Sequence, residues 1–297
     1  MRYDPAGRAR PGPGTPWHDS RAVTVAGARS PLEAAVCHEL SASGYRPVPS
    51  GSDAPVLVIA SELALPAGWL VSHYRRWQAA RRRDDLIAAA RLAHEHGTAR
   101  LVALSSALLS GLSPGPGPGR PGNAPPEAAL ALAAEAAAQA FAGLGGTAVV
   151  LRLGWTYGDT DRHTRQILTA ARRGWLLLDG PPGTRVPTVE TSDAASAVVA
   201  ALTAPAGVYY VTDGAPRTQR ELGEAIAAAA GRDLHPLNDG GRRHGQLLGC
   251  ARPADGAEFR AVTGWRPRFP DAAERLSQLC QAPGPAGSFS RPRRQEK

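Results

Sequence analysis

The chain has 297 residues, a formal net charge of +8 and 43% hydrophobic residues, enough for one large α/β core or two smaller ones. No run approaches the roughly 20 apolar residues that span a bilayer, and the N-terminus lacks an apolar signal core, so a cytoplasmic protein without a membrane partner is expected. The basic residues are spread along the chain, and a nucleic-acid partner is therefore not expected.

Cysteine, histidine and lysine restrict the possible chemistry. The three cysteines stand far apart without a Cys-x-x-Cys pair, which predicts neither a disulfide framework nor a zinc site. His94 and His96 flank Glu95 at a predicted helix end, but side chains at consecutive positions do not converge on one ion, and no metal site is predicted. The only lysine is Lys297, so a lysine-dependent mechanism has no candidate in the folded part.

The predicted elements alternate along the chain between short aliphatic strands and alanine-rich helices, as in βαβ units around a parallel sheet. The predicted strands are residues 22–26, 56–61, 100–105, 147–153, 175–179 and 207–212. The predicted helices are residues 31–43, 83–96, 126–142, 192–203 and 219–230. The sequence therefore predicts an α/β protein with a Rossmann-like, doubly wound parallel sheet and a smaller C-terminal substrate lobe.

The domain boundaries follow from composition. Residues 1–20 and 283–297 are rich in Pro, Gly, Ser and Arg and are expected to be disordered tails. Residues 21–158 and 187–212 are expected to form the Rossmann-like domain, and residues 159–186 and 213–282 the smaller lobe. A proline- and glycine-rich stretch, 111–126, follows a strand on the ligand-binding side of the sheet. It is either a lid or a tolerated insertion.

The segment from Ala22 to Glu33 has the strand, tight turn and helix that open a dinucleotide-binding unit, with Gly27 at the first glycine position. The other two glycines are replaced by Ser30 and Glu33. Glu33 would bring a carboxylate close to the ligand's two phosphates. The pattern therefore favours the fold more than it favours the cofactor.

Three further stretches carry a resemblance to a known family. Residues 100–107 (RLVALSSA), 152–158 (RLGWTYG) and 189–195 (VETSDAA) resemble motifs of the extended short-chain dehydrogenases, the NAD-dependent epimerases and dehydratases. Residues 68–69 and 259–267 resemble the actinomycete ketoreductases of nucleotide-linked 4-keto-6-deoxysugars. The resemblance implies NAD(P) as cofactor. It also implies a set of cofactor-binding residues at the carboxyl edge of the sheet: Gly27, Ala28, Arg29, Ser30, Ala60 and Ser61.

The chain departs from this family at the catalytic tyrosine and lysine. Aligning residues 132–135 with the family's helix puts Glu127 at the tyrosine and Ala131 at the lysine. An alanine offers no charge, and a glutamate at neutral pH is normally an anion that donates no proton. The segment from Gly27 to Ala60 is also short for an adenine pocket, and Pro47 and Pro49 argue against a strand there. Weak or absent NAD(P) binding is therefore expected.

The candidate catalytic residues are Ser106, Glu127 and Tyr157, where the family keeps its reacting atoms. Each also has a structural reading: Ser106 as a hydrogen-bonded turn residue, Glu127 as an exposed glutamate in a first helical turn, and Tyr157 as a core tyrosine in a turn. The first hypothesis is a divergent relative acting on a small molecule, a nucleotide-sugar or a glycosylated metabolite, without ordinary hydride transfer. The alternatives are an active NAD(P)-dependent nucleotide-sugar 4-ketoreductase or epimerase, and a ligand-sensing regulatory protein.

Overall fold

Strands and helices alternate through most of the computed structural model, which describes residues 20–27, 30–50, 52–60, 70–111, 128–177, 182–214, 216–233, 235–237 and 255–282. The strands are β1 (Ala22–Gly27), β2 (Arg46–Val48), β3 (Val56–Ala60), β4 (Arg100–Ser106), β5 (Thr147–Leu153), β6 (Trp155–Tyr157), β7 (Trp175–Leu177), β8 (Arg185–Val186), β9 (Thr188–Glu190), β10 (Gly207–Val211), β11 (Arg217–Thr218) and β12 (His235–Leu237). The helices are α1 (Pro31–Ala42), α2 (Leu70–Glu95), α3 (Ala129–Gly143), α4 (Arg162–Arg172), α5 (Thr191–Ala201), α6 (Gln219–Ala230), α7 (Ala257–Thr263) and α8 (Ala272–Gln281).

The central feature is a six-stranded sheet with the order β10-β5-β4-β3-β1-β2, in which every neighbouring pair is parallel. Its strands are nearly continuous runs of aliphatic residues, because both faces are covered by helices. Alternate residues of one strand serve opposite faces. The predicted α/β Rossmann-like fold is confirmed.

The two faces of the sheet carry separate hydrophobic clusters, which together form the first core of the molecule. On one face Val58 and Val102 pack with residues of α1 and α5, including Val36 and Val198. On the other face Leu57 and Leu101 of the strands pack with residues of α2 and α3, including Ala90 and Ala137. This arrangement explains why the helices are rich in alanine, since small side chains allow close approach to the sheet.

Two sequence predictions on the main sheet need correction. The segment around Pro47 does form a strand, β2, which pairs with β1 at the edge of the sheet. An edge strand tolerates a proline because one side of it has no ladder partner. Helix α2 begins at Leu70 rather than at residue 83, and the arginine- and alanine-rich sequence in between favours the helix. Part of the proline- and glycine-rich stretch, residues 112–126, lies outside the described residues.

A second core is built from β6, α4, α6 and α8, around Tyr157, Leu222 and Leu276. Three two-stranded sheets lie outside the large sheet: β6 with β9, β7 with β12, and β8 with β11. The predicted strand at 175–179 is therefore β7, paired with β12 rather than with the main sheet. Tyr157 belongs to strand β6 and not to a turn, which is a further correction.

Gly154 shows why β6 and β9 lie so close together. A β-carbon built on Gly154 would lie 2.7 Å from the backbone carbon of Thr188 and 2.9 Å from the carbonyl oxygen of Pro187. Only glycine permits this approach, so the glycine after β5 determines where the next strand pairs.

Among the described residues, no helix has the length and apolar character needed to cross a bilayer.

The C-terminal residues divide between the two cores. Helix α8 packs on α6 in the second core, whereas Phe259 of α7 and the following Trp265 pack in the first core against Tyr209 of β10. The predicted domain division at residues 158, 187 and 212 stays a prediction. The packing of α7 nevertheless ties the end of the chain to the large sheet.

Candidate functional site

The order in which the chain adds strands to the sheet changes direction between β1 and β3. From β1 the chain passes through α1 to β2 on one side, and from β3 it passes through α2 to β4 on the other. Doubly wound sheets bind ligands outside the carboxyl ends of the strands at such a point. Here those ends are Gly27 and Ala60, which are partners in register. The predicted cofactor residues Ala28, Arg29 and Ser61 follow them and lie outside the described residues.

Side chains from the start of α1 lie beside the end of β1. Ser30 is the N-cap of this helix, and its Oγ accepts a hydrogen bond of 3.1 Å from the backbone N–H of Glu33. The side chain of Glu33 folds back over the turn: a β-carbon built on Gly27 would lie 2.5 Å from Glu33 Oε2 and 3.1 Å from the carbonyl oxygen of Ala60. The predicted residues Gly27, Ser30 and Ala60 therefore lie together, with the carboxylate of Glu33 among them.

The predicted catalytic serine ends strand β4 at the same edge of the sheet. Ser106 is buried, and its Oγ accepts a hydrogen bond of 3.2 Å from the backbone N–H of Leu108. This bond opens the 3-10 helix Ala107–Gly111, and it matches the local turn bonding common for serine. The hydroxyl of Ser106 thus lies at the expected edge of the sheet, and it is hydrogen-bonded to the backbone of the loop that follows β4.

The residue before it, Ser105, joins a buried ionic network that the sequence did not reveal. Arg152 of β5 donates from Nε and Nη2 to the two carboxylate oxygens of Glu135 on α3, each at 2.9 Å. Ser105 Oγ donates to Glu135 Oε1 at 2.6 Å, and Arg152 Nη1 donates to the hydroxyl of Tyr210 at 3.2 Å. Burial alone would lower the pKa of Arg152, but the hydrogen bonds and charge of Glu135, with Tyr210, raise it above its ordinary value.

This pair fixes which residues of α3 face the loop after β4. Ala131 lies one helical turn before Glu135, on the same face of α3. It is 2% exposed and packs with Leu108, Leu109 and Val186. The position aligned with the family's lysine is therefore filled by a methyl group in an apolar cluster. Glu127, four residues before Ala131 in the sequence, lies outside the described residues.

Tyr157 occupies a different environment, inside the second core. Its side chain is fully buried, and its hydroxyl has no hydrogen-bond partner among the described residues. Burial raises the pKa of Tyr157 well above its ordinary value, and the carboxylates of Asp213, Glu190 and Asp193 raise it further. The phenol therefore keeps its proton at neutral pH. Ser106 ends β4, and Tyr157 lies in β6, directly after the neighbouring strand β5. Their hydroxyls have separate surroundings.

The buried carboxylates near the second core accept hydrogen bonds from other segments of the protein. Asp193 is fully buried and accepts from the backbone N–H groups of Arg268 and Phe269 at 2.9 and 2.8 Å. Asp213 accepts from the hydroxyl of Thr188. The sequence signal for the first was present, since an aspartate at the start of a predicted helix favours hydrogen bonding to backbone amides. Its partners lie 75 and 76 residues away along the chain, and the sequence does not identify them.

Known proteins resemble this chain in fold rather than in sequence. The sequence matches no protein-family model and no curated protein. Solved structures match it over most of its length. A human epimerase family protein with NADPH has a TM-score of 0.71 at 19% identity, over 88% of this chain and 99% of that chain. A Thermus thermophilus UDP-glucose 4-epimerase with NAD has a TM-score of 0.61 at 21% identity, over 88% and 99%.

A third similar structure is MoeE5 in complex with UDP-glucuronic acid and NAD, with a TM-score of 0.68 at 20% identity, over 87% of this chain and 98% of that chain. These identities are low, so the likeness concerns the fold. The present chain has the Rossmann-type fold of the extended short-chain dehydrogenases, the NAD-dependent epimerases and dehydratases to which these structural neighbours belong.

Proposed function

We propose that this chain is a divergent epimerase/dehydratase-like protein of a natural-product or deoxysugar pathway that has lost ordinary hydride transfer. In that chemistry a tyrosine protonates the carbonyl oxygen while a lysine four residues later lowers the pKa of the tyrosine. The observation that carries the proposal is the burial of Ala131 among Leu108, Leu109 and Val186. A lysine at this position would bring its ammonium group among the apolar side chains of this cluster.

The other candidate residues support the same conclusion. The hydroxyl of Ser106 is engaged by the backbone N–H of Leu108. The raised pKa of Tyr157, together with its full burial, makes this phenol a poor proton donor to a ligand in the crevice. Glu127 is the remaining polar candidate, and a carboxylate there can act as a general base only if its surroundings raise its pKa. The carboxyl edge of the large sheet is thus suited to ligand binding or to acid/base chemistry without hydride transfer.

The structural neighbours support a proposal about the ligand class. Structural neighbours include proteins crystallised with UDP-glucuronic acid and with UDP-glucose. We infer that the ligand here is also a small molecule, a nucleotide-sugar or a glycosylated metabolite, bound at the carboxyl edge of the large sheet. Ligands of α/β proteins enter at this edge because the loops there diverge and leave a crevice.

A hydride-transfer assay tests the loss of reductase chemistry. The purified protein is mixed with NADPH or NADH and a nucleotide-linked 4-keto-6-deoxysugar, and oxidation of the cofactor is followed by absorbance. We expect no oxidation above the rate without protein. Turnover that falls on replacement Ser106→Ala would contradict the proposal and establish an active ketoreductase.

A second experiment separates acid/base chemistry from ligand binding. The variants Glu127→Gln and Ser106→Ala are introduced into the producing pathway, and the product is quantified. A strong decrease with Glu127→Gln indicates proton transfer by this carboxylate. Unchanged product formation with both variants indicates that the cleft acts through binding alone.

A further inference from the structure

The turn between β1 and α1 lies at the topological switch point of the sheet, beside the register pair Gly27 and Ala60. In Rossmann folds this turn receives the pyrophosphate of a dinucleotide. The reason is physical: the free N–H groups and the dipole at the start of the first helix favour an anion, and a glycine allows close backbone approach.

In this chain one donor of the first turn and the space beside the glycine are already occupied by the protein. The backbone N–H of Glu33, a first-turn donor that makes no intrahelical hydrogen bond, donates to Ser30 Oγ at 3.1 Å. The carboxylate of Glu33 lies over Gly27, with Oε2 2.5 Å and Cδ 2.8 Å from the place where a β-carbon of that residue would stand. The space that glycine leaves for a phosphate therefore contains a carboxylate.

We propose that Glu33 closes this crevice to dinucleotides, because its carboxylate takes the position of a ligand phosphate and excludes that phosphate by bulk and by charge. Among the described residues beside the turn, Gly27 with the carboxylate of Glu33 over it does not fit a pyrophosphate. Glu33 is the specificity-determining residue of the crevice, and it favours ligands that bring no phosphate to the first turn of α1.

Rotation of the side chain would relieve the bulk but not the charge. Glu33 belongs to the first turn of α1, so a rotated carboxylate still brings its negative charge to the end of the helix where a pyrophosphate would bind. Two unit charges at about 4 Å weaken binding roughly fivefold even at the dielectric constant of water, and more strongly in a crevice. The field of this carboxylate also acts on Cys37, whose pKa is raised first by burial and then by Glu33.

This inference is independent of the loss of hydride transfer. Removing the carboxylate should restore binding of the dinucleotide, whereas no lysine is added and Ala131 remains. A chain that binds NADPH after the substitution and still reduces no substrate would support both ideas. A wild-type chain that reduces a substrate would contradict the proposed function, and the binding constants of the variants would still report on Glu33.

The test is a calorimetric titration of NADPH and NADH into the wild-type protein and the variants Glu33→Ala and Glu33→Gln. Alanine removes the carboxylate and favours the helix, while glutamine keeps the bulk and removes the charge. Glu224→Gln is the matched control, because Glu224 is an exposed glutamate on α6. Circular dichroism verifies that all variants are folded.

We expect Glu33→Ala to bind NADPH at least about tenfold more tightly than the wild-type chain, and Glu224→Gln to match the wild type. A gain with Glu33→Gln equal to that of alanine assigns the exclusion to charge, and a smaller gain assigns part of it to bulk. Low-micromolar binding by the wild-type chain would overturn the proposal. Equal affinity of the wild type and both Glu33 variants would do so as well.

Discussion

At the scale of single residues, Tyr157 is a polar group held in an apolar core. Its hydroxyl is buried without a partner among the described residues, and three carboxylates disfavour its ionised form. A buried hydroxyl that makes no hydrogen bond costs stability, since it gives up water without compensation. The aromatic ring, rather than the hydroxyl, therefore accounts for its contribution to the second core.

Tyr157→Phe should leave stability at pH 7.5 unchanged or raise it by up to about 1 kcal/mol. The pKa of Tyr157 is raised in the folded state, so the phenol is protonated in both states below about pH 10. Above that pH the unfolded tyrosine ionises while the folded one does not, and the wild type loses stability that the variant keeps. Each pH unit above this point should add about 1.4 kcal/mol to the difference.

Urea unfolding at pH 7.5 and at about pH 11 measures this difference between the two proteins. Tyr45→Phe, which deletes a partly exposed phenol beside the first core, reports the effect of losing any tyrosine hydroxyl. A loss of more than about 1 kcal/mol by Tyr157→Phe at pH 7.5 would mean that the hydroxyl has a hydrogen-bond partner.

At the scale of elements, the ion pair of Arg152 and Glu135 connects β5 to α3. Ser105 of β4 and Tyr210 of β10 bond to the same pair, so one network joins four elements. Both charged side chains are almost completely buried. Because each would be costly to bury alone, the network fixes the position of α3 on the sheet.

Removing one partner of this pair should be strongly destabilising. Arg152→Met is expected to lower the free energy of unfolding by about 3–5 kcal/mol, because Glu135 is then a buried charge without its counterion. The double variant Arg152→Met/Glu135→Leu should recover most of this loss. Arg165→Met, which alters an exposed arginine of α4, should stay within about 0.5 kcal/mol of wild type. Urea unfolding measures these variants together with the single variant Glu135→Leu, and a loss in the double variant equal to the sum of the two single losses would contradict the coupling.

At the scale of the whole molecule, the segment around Trp265 packs against the large sheet. Trp265 is 7% exposed and packs in the core that contains β1. Its Nε1 donates to Ser196 Oγ on α5 at 2.9 Å. Helix α8, a few residues later, belongs instead to the second core. The two cores are therefore linked by the segment between α7 and α8, and we expect them to unfold together.

Trp265→Ala should lower the free energy of unfolding by about 3–5 kcal/mol, through lost burial and the cavity it leaves. Trp175→Ala is the matched control, since Trp175 is 43% exposed, and its effect should be below about 1 kcal/mol. Unfolding is followed by far-ultraviolet circular dichroism and by fluorescence. Transitions at different urea concentrations for the two signals would mean that the cores unfold separately.

The sequence predicted the main sheet because its signals are local. Unbroken aliphatic runs identified five of the six strands. The capping box of Thr218 and Glu221 marked the start of α6 at Gln219, and Gly231 marked its end after Ala230. Helices α4 and α8 were not predicted, although each begins with an aspartate N-cap, Asp161 and Asp271. Their apolar stripes are present in the sequence, as the spacing of Ile167 with Leu168 and of Leu276 with Cys280 shows, so both helices could have been predicted.

The sequence by itself determined that the chain is an α/β protein, that Glu33 and Ser30 replace the glycines of the first turn, and that Lys297 is the only lysine. These properties depend on residue type and short spacing. Only the tertiary structure decided that the carboxylate of Glu33 lies over Gly27 and that Ala131 packs in one apolar cluster with Leu108 and Val186. Such contacts join segments that are distant in sequence or depend on the direction of a side chain, and local patterns carry no information on either.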